Sequence, residues 1–155
     1  MKSRIRNQVT MGGIVLAASA LAPIQTLAGD ELLEQHLEKL KRPPGFQFDV
    51  FAKVPGARSL AYAPETDTVF VGSWGNTVYA VMDKDKDGKA ETVFPLLTGL
   101  KVPNGVAWDQ RHLYVGEQHR ISRYEVSDVT PEQTLEIQPE VLYQKLTDNF
   151  HHGWR

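Results

Sequence analysis

The chain has 155 residues, 41% hydrophobic and 23% charged, with a formal net charge of −2 at pH 7 and no cysteine. These are ordinary values for a globular protein. They exclude a disulfide scaffold, a thiolate nucleophile and a cysteine metal site, and the charge balance does not favour nucleic acid as a partner.

Lys2, Arg4 and Arg6 precede an apolar run, Met11 to Ala22, and Thr26-Leu27-Ala28 offers a cut site of small residues. That order reads as a secretory signal peptide over residues 1–28. The 12-residue run is too short for a spanning helix, which needs ~20. Removing 1–28 leaves 14 Lys+Arg against 19 Asp+Glu, a net −5, with no membrane span in the mature chain. A periplasmic or secreted location is expected, and export without disulfides suits a bacterial envelope.

Residues 29–44 read as a short amphipathic helix and linker. DELLEQHLEKLKR (Asp30 to Arg42) puts Leu32, Leu33, His36, Leu37 and Leu40 on one face, with acids early and bases late to suit the helix dipole. His36 is expected to pack there, and Pro43 and Pro44 stop the helix.

From residue 45 to 155 the pattern changes to β-type runs separated by turn residues. FQFDVFAKV, SLAYA, TVFVGSW, TVYAVMD, ETVFPLL, GVAWD, HLYVGEQ, ISRYEV and PEVLYQKL predict an antiparallel all-β meander. SLAYAPETDTVFVGSWGNTVYAV also matches GVAWDQRHLYVGEQHRISRYEV, with Gly72 and Gly116 aligned 44 residues apart. A period of ~40–50 residues carrying four strands is that of a β-propeller blade, and a β-sandwich is the competing architecture. Only about two blades fit, so the domain is expected to be a truncated β-propeller belonging to a longer fold.

DKDKDGKAE, Asp83 to Glu91, alternates three carboxylates and then supplies a glycine. Asp83, Asp85 and Asp87 can converge on one calcium ion, and Gly88 permits the turn. An EF-hand needs a glutamate at loop position 12, where Phe94 stands, and its flanking helices are replaced by strand patterns. Two readings stay open: a calcium-binding inter-strand turn, or a solvated turn neutralised by Lys84, Lys86 and Lys89. Asn104-Gly105 reads as a turn entering a strand, and His112 and His119 as surface or turn residues. In HHGWR, a histidine oriented by a carboxylate such as Asp148 can take a hydroxyl proton. Residue types alone leave catalysis and a packing pair both open.

Taken together, RPPGFQFDVFAKVPGARSLAYAPETDTVFVGSWGNTVYAVMDKDKDGKAE, GLKVPNGVAW, LYVGE and HHGWR resemble the amino-terminal portion of the PQQ-dependent sugar dehydrogenases of the sorbosone dehydrogenase and soluble glucose dehydrogenase type, over about residues 42–155. The resemblance implies a six-bladed propeller with pyrroloquinoline quinone across its mouth and calcium beside the quinone. It implies a histidine base that takes the substrate's hydroxyl proton as hydride passes to the quinone, a sugar or related polyol, aldose or aldehyde as substrate, and an external electron acceptor. Carried onto this sequence, the base is His152 or His151, with His152 preferred, and Asn104 and Arg155 are the cofactor-binding candidates. The acidic loop is expected on the rim, not at the quinone. The basic residues of the family's later blades have no counterpart in these residues, so the chain alone is expected to be inactive. The alternative function is a non-catalytic secreted propeller-type binding module, an oligomer in which three two-blade arcs complete a ring. A secreted calcium-binding β domain, resting on the three aspartates, is the third.

Overall fold

The computed structural model describes residues 24–126, 129–130 and 138–146. Most of the expected signal peptide and all of His151, His152 and Arg155 lie outside the described residues. The chain divides into two compact units, 1–48 and 49–155.

In the first unit, helix α1 runs Ile24–Lys39. It begins six residues before the expected start and includes the residues just ahead of the expected cut. Because it starts early, no acid falls in its first turn, while His36 and Lys39 lie in the last. The amphipathic pattern therefore meets the dipole only at the basic end. The packing role expected of His36 is corrected: the residue is exposed, and its Nδ1 lies 2.6 Å from the Leu32 carbonyl one turn back. Leu32 and Leu40 are exposed as well.

The second unit is all-β. β1 (Ala57–Ala63), β2 (Thr68–Ser73), β3 (Val78–Met82) and β4 (Thr92–Leu97) form one antiparallel sheet in sequential order. β5 (Gly105–Asp109), β6 (His112–Gly116), β7 (Ile121–Glu125) and β8 (Glu140–Tyr143) form a second of the same order. Eight of the nine expected runs are strands. The exception is FQFDVFAKV, which joins no ladder among the described residues: Ala90 N–H donates to the Phe51 carbonyl at 2.8 Å and Ala57 N–H, at the start of β1, to the Val54 carbonyl at 3.3 Å. An alternating pattern specifies a face, but a strand also needs a ladder partner.

The period-2 alternation places one row of the first sheet, Ala61, Phe70, Ala80 and Phe94, side by side across its strands. This row joins Trp108, Leu113, Val115 and Tyr124 of the second sheet in a single apolar core. The Phe70 and Trp108 rings meet at 5.1 Å between centroids, and Trp108 Nε1–H donates to Glu65 in the β1–β2 turn at 2.9 Å.

Register shows how the two repeats stack. Phe70 pairs with Ala61 as Tyr114 pairs with Ala107, so Tyr114 is the counterpart of Phe70. Side chains alternate between faces along a strand. Leu113 and Val115 face the first sheet, so Tyr114 between them faces away from it. The face that the first sheet turns toward its neighbour is thus the face that the second turns away. A two-fold sandwich would bring equivalent faces together; this packing is head to tail.

Candidate functional site

The residues with chemical potential gather at two opposite edges of the sheets. One edge holds the start of β1, the end of β2 and the start of β5. There the Asn104 carbonyl accepts the Ser59 hydroxyl, and Ser59 Oγ in turn accepts the Val106 N–H at 3.0 Å. Arg58 Nε–H donates to Asn104 Oδ1 at 3.3 Å, and its guanidinium lies 5.5 Å from the Trp74 ring centroid. Asn104 therefore ties the crossover to β1 through both its backbone and its side chain. The Asn-Gly turn expected here is not formed, since Asn104 leads directly into β5 at Gly105 and Gly105 has no left-handed backbone; Asn104 instead positions a cation stacked on an aromatic face.

The crossover from β4 to β5 is clamped between the sheets. Ser73 N–H donates to the Pro103 carbonyl, Leu100 N–H to Asn76, and Gln118 N–H to Lys101, all at 3.0 Å. Gly72 makes the close passage feasible, since a Cβ there would lie 2.5 Å from the Asn104 carbonyl oxygen and 2.7 Å from that of Pro103. Glu117, 1% exposed, accepts the Lys101 N–H at 2.9 Å and the Arg120 guanidinium. This buried carboxylate is thereby paired on both oxygens, and it raises the Arg120 pKa. His119 in the same turn is half-buried, with a buried Nδ1 that has no hydrogen-bond partner. His112 is half-buried on β6. β8 ends at Tyr143 at this same edge, since Tyr143 pairs with Ile121, the first residue of β7.

The other edge carries the acidic loop, between the end of β3 and the start of β4. Asp83, Asp85, Asp87 and Glu91 each place a carboxylate oxygen within 4.8 Å of the others. Asp83 accepts the N–H groups of Lys86 and Gly88 at 2.7 and 3.0 Å; Asp87 accepts Lys89 N–H and Glu91 accepts Lys84 N–H, both at 2.8 Å. Gly88 supplies the left-handed backbone, φ +90°, that lets the loop turn back. Asp85 accepts the Asp87 N–H, which favours ionisation, but desolvation and the charges of Asp87 and Glu91 outweigh it and raise its pKa. Four hard oxygen donors with crowded negative charge suit calcium or magnesium. Neither flank is a helix, and Phe94 packs into the β core, so the EF-hand stays excluded.

The edges are a strand apart, about 17 Å for the five residues of β3 at ~3.4 Å each. The predicted aspartates come together with Glu91, and Asn104 stands at the far edge. Glu91 closes the same DKDKDGKAE stretch, but it stands outside the alternation that marks the three aspartates. Arg58, Trp74 and the Glu117–Arg120 pair carried no motif; their roles depend on side chains 46 residues apart in one case and on burial in the other.

No family model, no curated protein and no solved structure matches this chain.

Proposed function

We propose that this sequence is part of a quinoprotein dehydrogenase that oxidises a sugar, aldose or related alcohol with PQQ as hydride acceptor, on a six-bladed propeller. The observation that carries the reading is the head-to-tail stack of two repeat-related four-stranded sheets. Such an interface continues around a ring, whereas a sandwich closes on itself. The motif order through HHGWR supplies the chemistry.

Arg58 suits the quinone's carboxylates. Its guanidinium is held by Asn104 Oδ1 and lies over Trp74, at the edge where β8 ends. Asn104 orients that cation, and Arg155 is the second candidate for holding the cofactor. When bound, PQQ supplies a carbonyl carbon that accepts hydride. His152, with His151 as the alternative, takes the proton of the sugar's hydroxyl. Asp83, Asp85, Asp87 and Glu91 hold a rim calcium a strand's length from Asn104, with a structural role in fixing the β3–β4 turn. An external acceptor in the cell envelope takes the electrons.

The test uses the polypeptide that carries this sequence as its own cell makes it, isolated from the envelope. Expected are tightly bound PQQ and sugar-dependent reduction of a dye acceptor. A preparation that binds no PQQ when supplied with the quinone and calcium, and reduces no dye with any aldose or polyol, overturns the reading.

A further inference from the structure

Arg58 and Ser59 are consecutive residues of β1, and a regular strand would send their side chains to opposite faces. Here both reach one residue, Asn104. Arg58 Nε–H donates to its side-chain oxygen at 3.3 Å, and the Ser59 hydroxyl donates to its carbonyl. The pairing of β1 with β2 shows how this is possible. Ala57 stands opposite Ser73 and Leu60 opposite Val71, so Arg58 and Ser59 together face Gly72 alone. One extra residue in one strand makes a β-bulge, which bends the strand and re-aims its side chains.

The bulge sits where the crossover passes closest to the sheet, over the same Gly72 whose missing Cβ admits the Asn104 carbonyl. Ser59 Oγ also accepts the Val106 N–H at 3.0 Å, so one half-buried hydroxyl holds the main chain on both sides of Gly105. Arg58, by contrast, is exposed. A long exposed side chain loses much rotamer freedom when it is held in one orientation, so something must fix it. Asn104 Oδ1 fixes the guanidinium near the Trp74 ring, and Ser59 fixes Asn104.

We infer that Ser59 is a positioning residue for cofactor binding: from the bulge it holds Asn104, and through Asn104 it sets the Arg58 guanidinium that receives the quinone's carboxylates. The inference rests on the reading of Arg58 as that anion partner. Ser59 takes no part in the chemistry. Its effect is pre-organisation: the orientation of the cation is fixed as the chain folds, so little ordering is left for the moment of binding. Loss of the hydroxyl should therefore loosen Arg58 and weaken the cofactor's hold, and it should do so only while Arg58 is present.

The experiment uses the whole polypeptide that carries this sequence, with isotope-labelled arginine, and two readouts. NMR follows the Arg58 Nε–H, assigned by its disappearance in Arg58→Gln, and equilibrium dialysis with PQQ and calcium gives the affinity. The variants are Ser59→Ala, Ser59→Thr, Arg58→Gln and the double variant Ser59→Ala/Arg58→Gln. Circular dichroism checks the fold, and Ser59→Cys, a weak donor of similar size, replaces Ser59→Ala should that variant unfold. Expected are an exchange-protected Arg58 Nε–H that is lost in Ser59→Ala, a PQQ affinity at least about 10-fold weaker in the same variant, and retention of both in Ser59→Thr. Adding Ser59→Ala to Arg58→Gln should cost no further affinity, because the two residues act as one unit. An Arg58 Nε–H that is unprotected in the unaltered polypeptide, or unchanged in Ser59→Ala, overturns the inference. So do affinity losses that add in the double variant, which mean that Ser59 acts by another route. An unaltered polypeptide that takes up no PQQ sinks the quinone reading instead, and the Nε–H signal still decides whether Ser59 positions Arg58.

Discussion

Substituting Gly72→Ala tests whether the β4–β5 crossover is locked against the end of β2. The added methyl would lie 2.5 Å from the Asn104 carbonyl oxygen, 2.7 Å from that of Pro103 and 3.0 Å from the Asn104 carbonyl carbon. All three are backbone atoms, so no side chain can swing aside. Relief requires the crossover to move by several tenths of an ångström or more, which loosens the Ser73 N–H bond to Pro103 and the Ser59 hydroxyl bond to Asn104. Two hydrogen bonds at about 0.5–1.5 kcal/mol each, with overpacking strain of about 1–3 kcal/mol, give a loss of about 4 kcal/mol. The assay is urea unfolding followed by tryptophan fluorescence, reading the midpoint at unchanged slope. Gly75→Ala is the matched control, because its added methyl would meet only the Ser73 hydroxyl, at 3.6 Å. A loss below about 1 kcal/mol for Gly72→Ala, or one equal to that of the control, refutes the argument.

Glu117→Ala should destabilise by about 3–5 kcal/mol, because it leaves the half-buried Arg120 charge and the Lys101 N–H without their shared acceptor; urea unfolding reads it, and a loss near zero would mean that the pair is solvated. For the acidic loop, the raised Asp85 pKa means that the folded state binds this proton more tightly than the unfolded chain. The metal-free loop therefore loses stability as pH rises through that carboxyl's folded range, and calcium offsets the loss only where the carboxylates are ionised. Calcium should raise the melting temperature at pH 7, with a smaller rise near pH 4 and none in Asp83→Asn; about 2.7 kcal/mol is gained at a hundredfold excess over Kd. No calcium effect at pH 7 would leave the solvated turn as the correct reading. Tyr124 has its pKa raised by desolvation and by the Glu117 charge, against a smaller opposing effect of Arg120. Its contribution to stability is full below the ordinary phenol range, about pH 10, and is lost as pH rises through the higher folded value. Thermal melts should fall above pH 10 and fall less in Tyr124→Phe; identical alkaline profiles would refute this.

Much of the fold was legible because half-buried strands advertise themselves by alternation. In β2, Phe70 faces the second sheet while Val69 and Val71 take the other side, and the matching β6 run made the repeat visible. Alternation failed at Phe46 to Val54, where the pattern of a strand exists without a ladder partner among the described residues. The α1 boundary was misplaced because Asp30 looked like the acidic start of a helix that begins at Ile24. Of the site, the aspartates were legible from spacing, since alternate positions in one tight loop must lie near each other. The Arg58–Asn104 bond and the Glu117–Arg120 pair were not, because contacts set by the crossover's path depend on how the two sheets pack. The stacking direction was equally hidden: the aligned glycines showed a repeat, but only the register revealed that equivalent rows lie on opposite faces.

We propose for this sequence a PQQ-dependent sugar oxidation with a histidine base in HHGWR. The most direct measurement is the rate of sugar-dependent dye reduction by the cell's own polypeptide, PQQ-loaded, with His152→Ala compared with His151→Ala. His152→Ala is expected to lose turnover by at least about 100-fold at retained PQQ content, the usual scale for a general base, while His151→Ala keeps most of it. Equal turnover in both variants and the unaltered protein would contradict it.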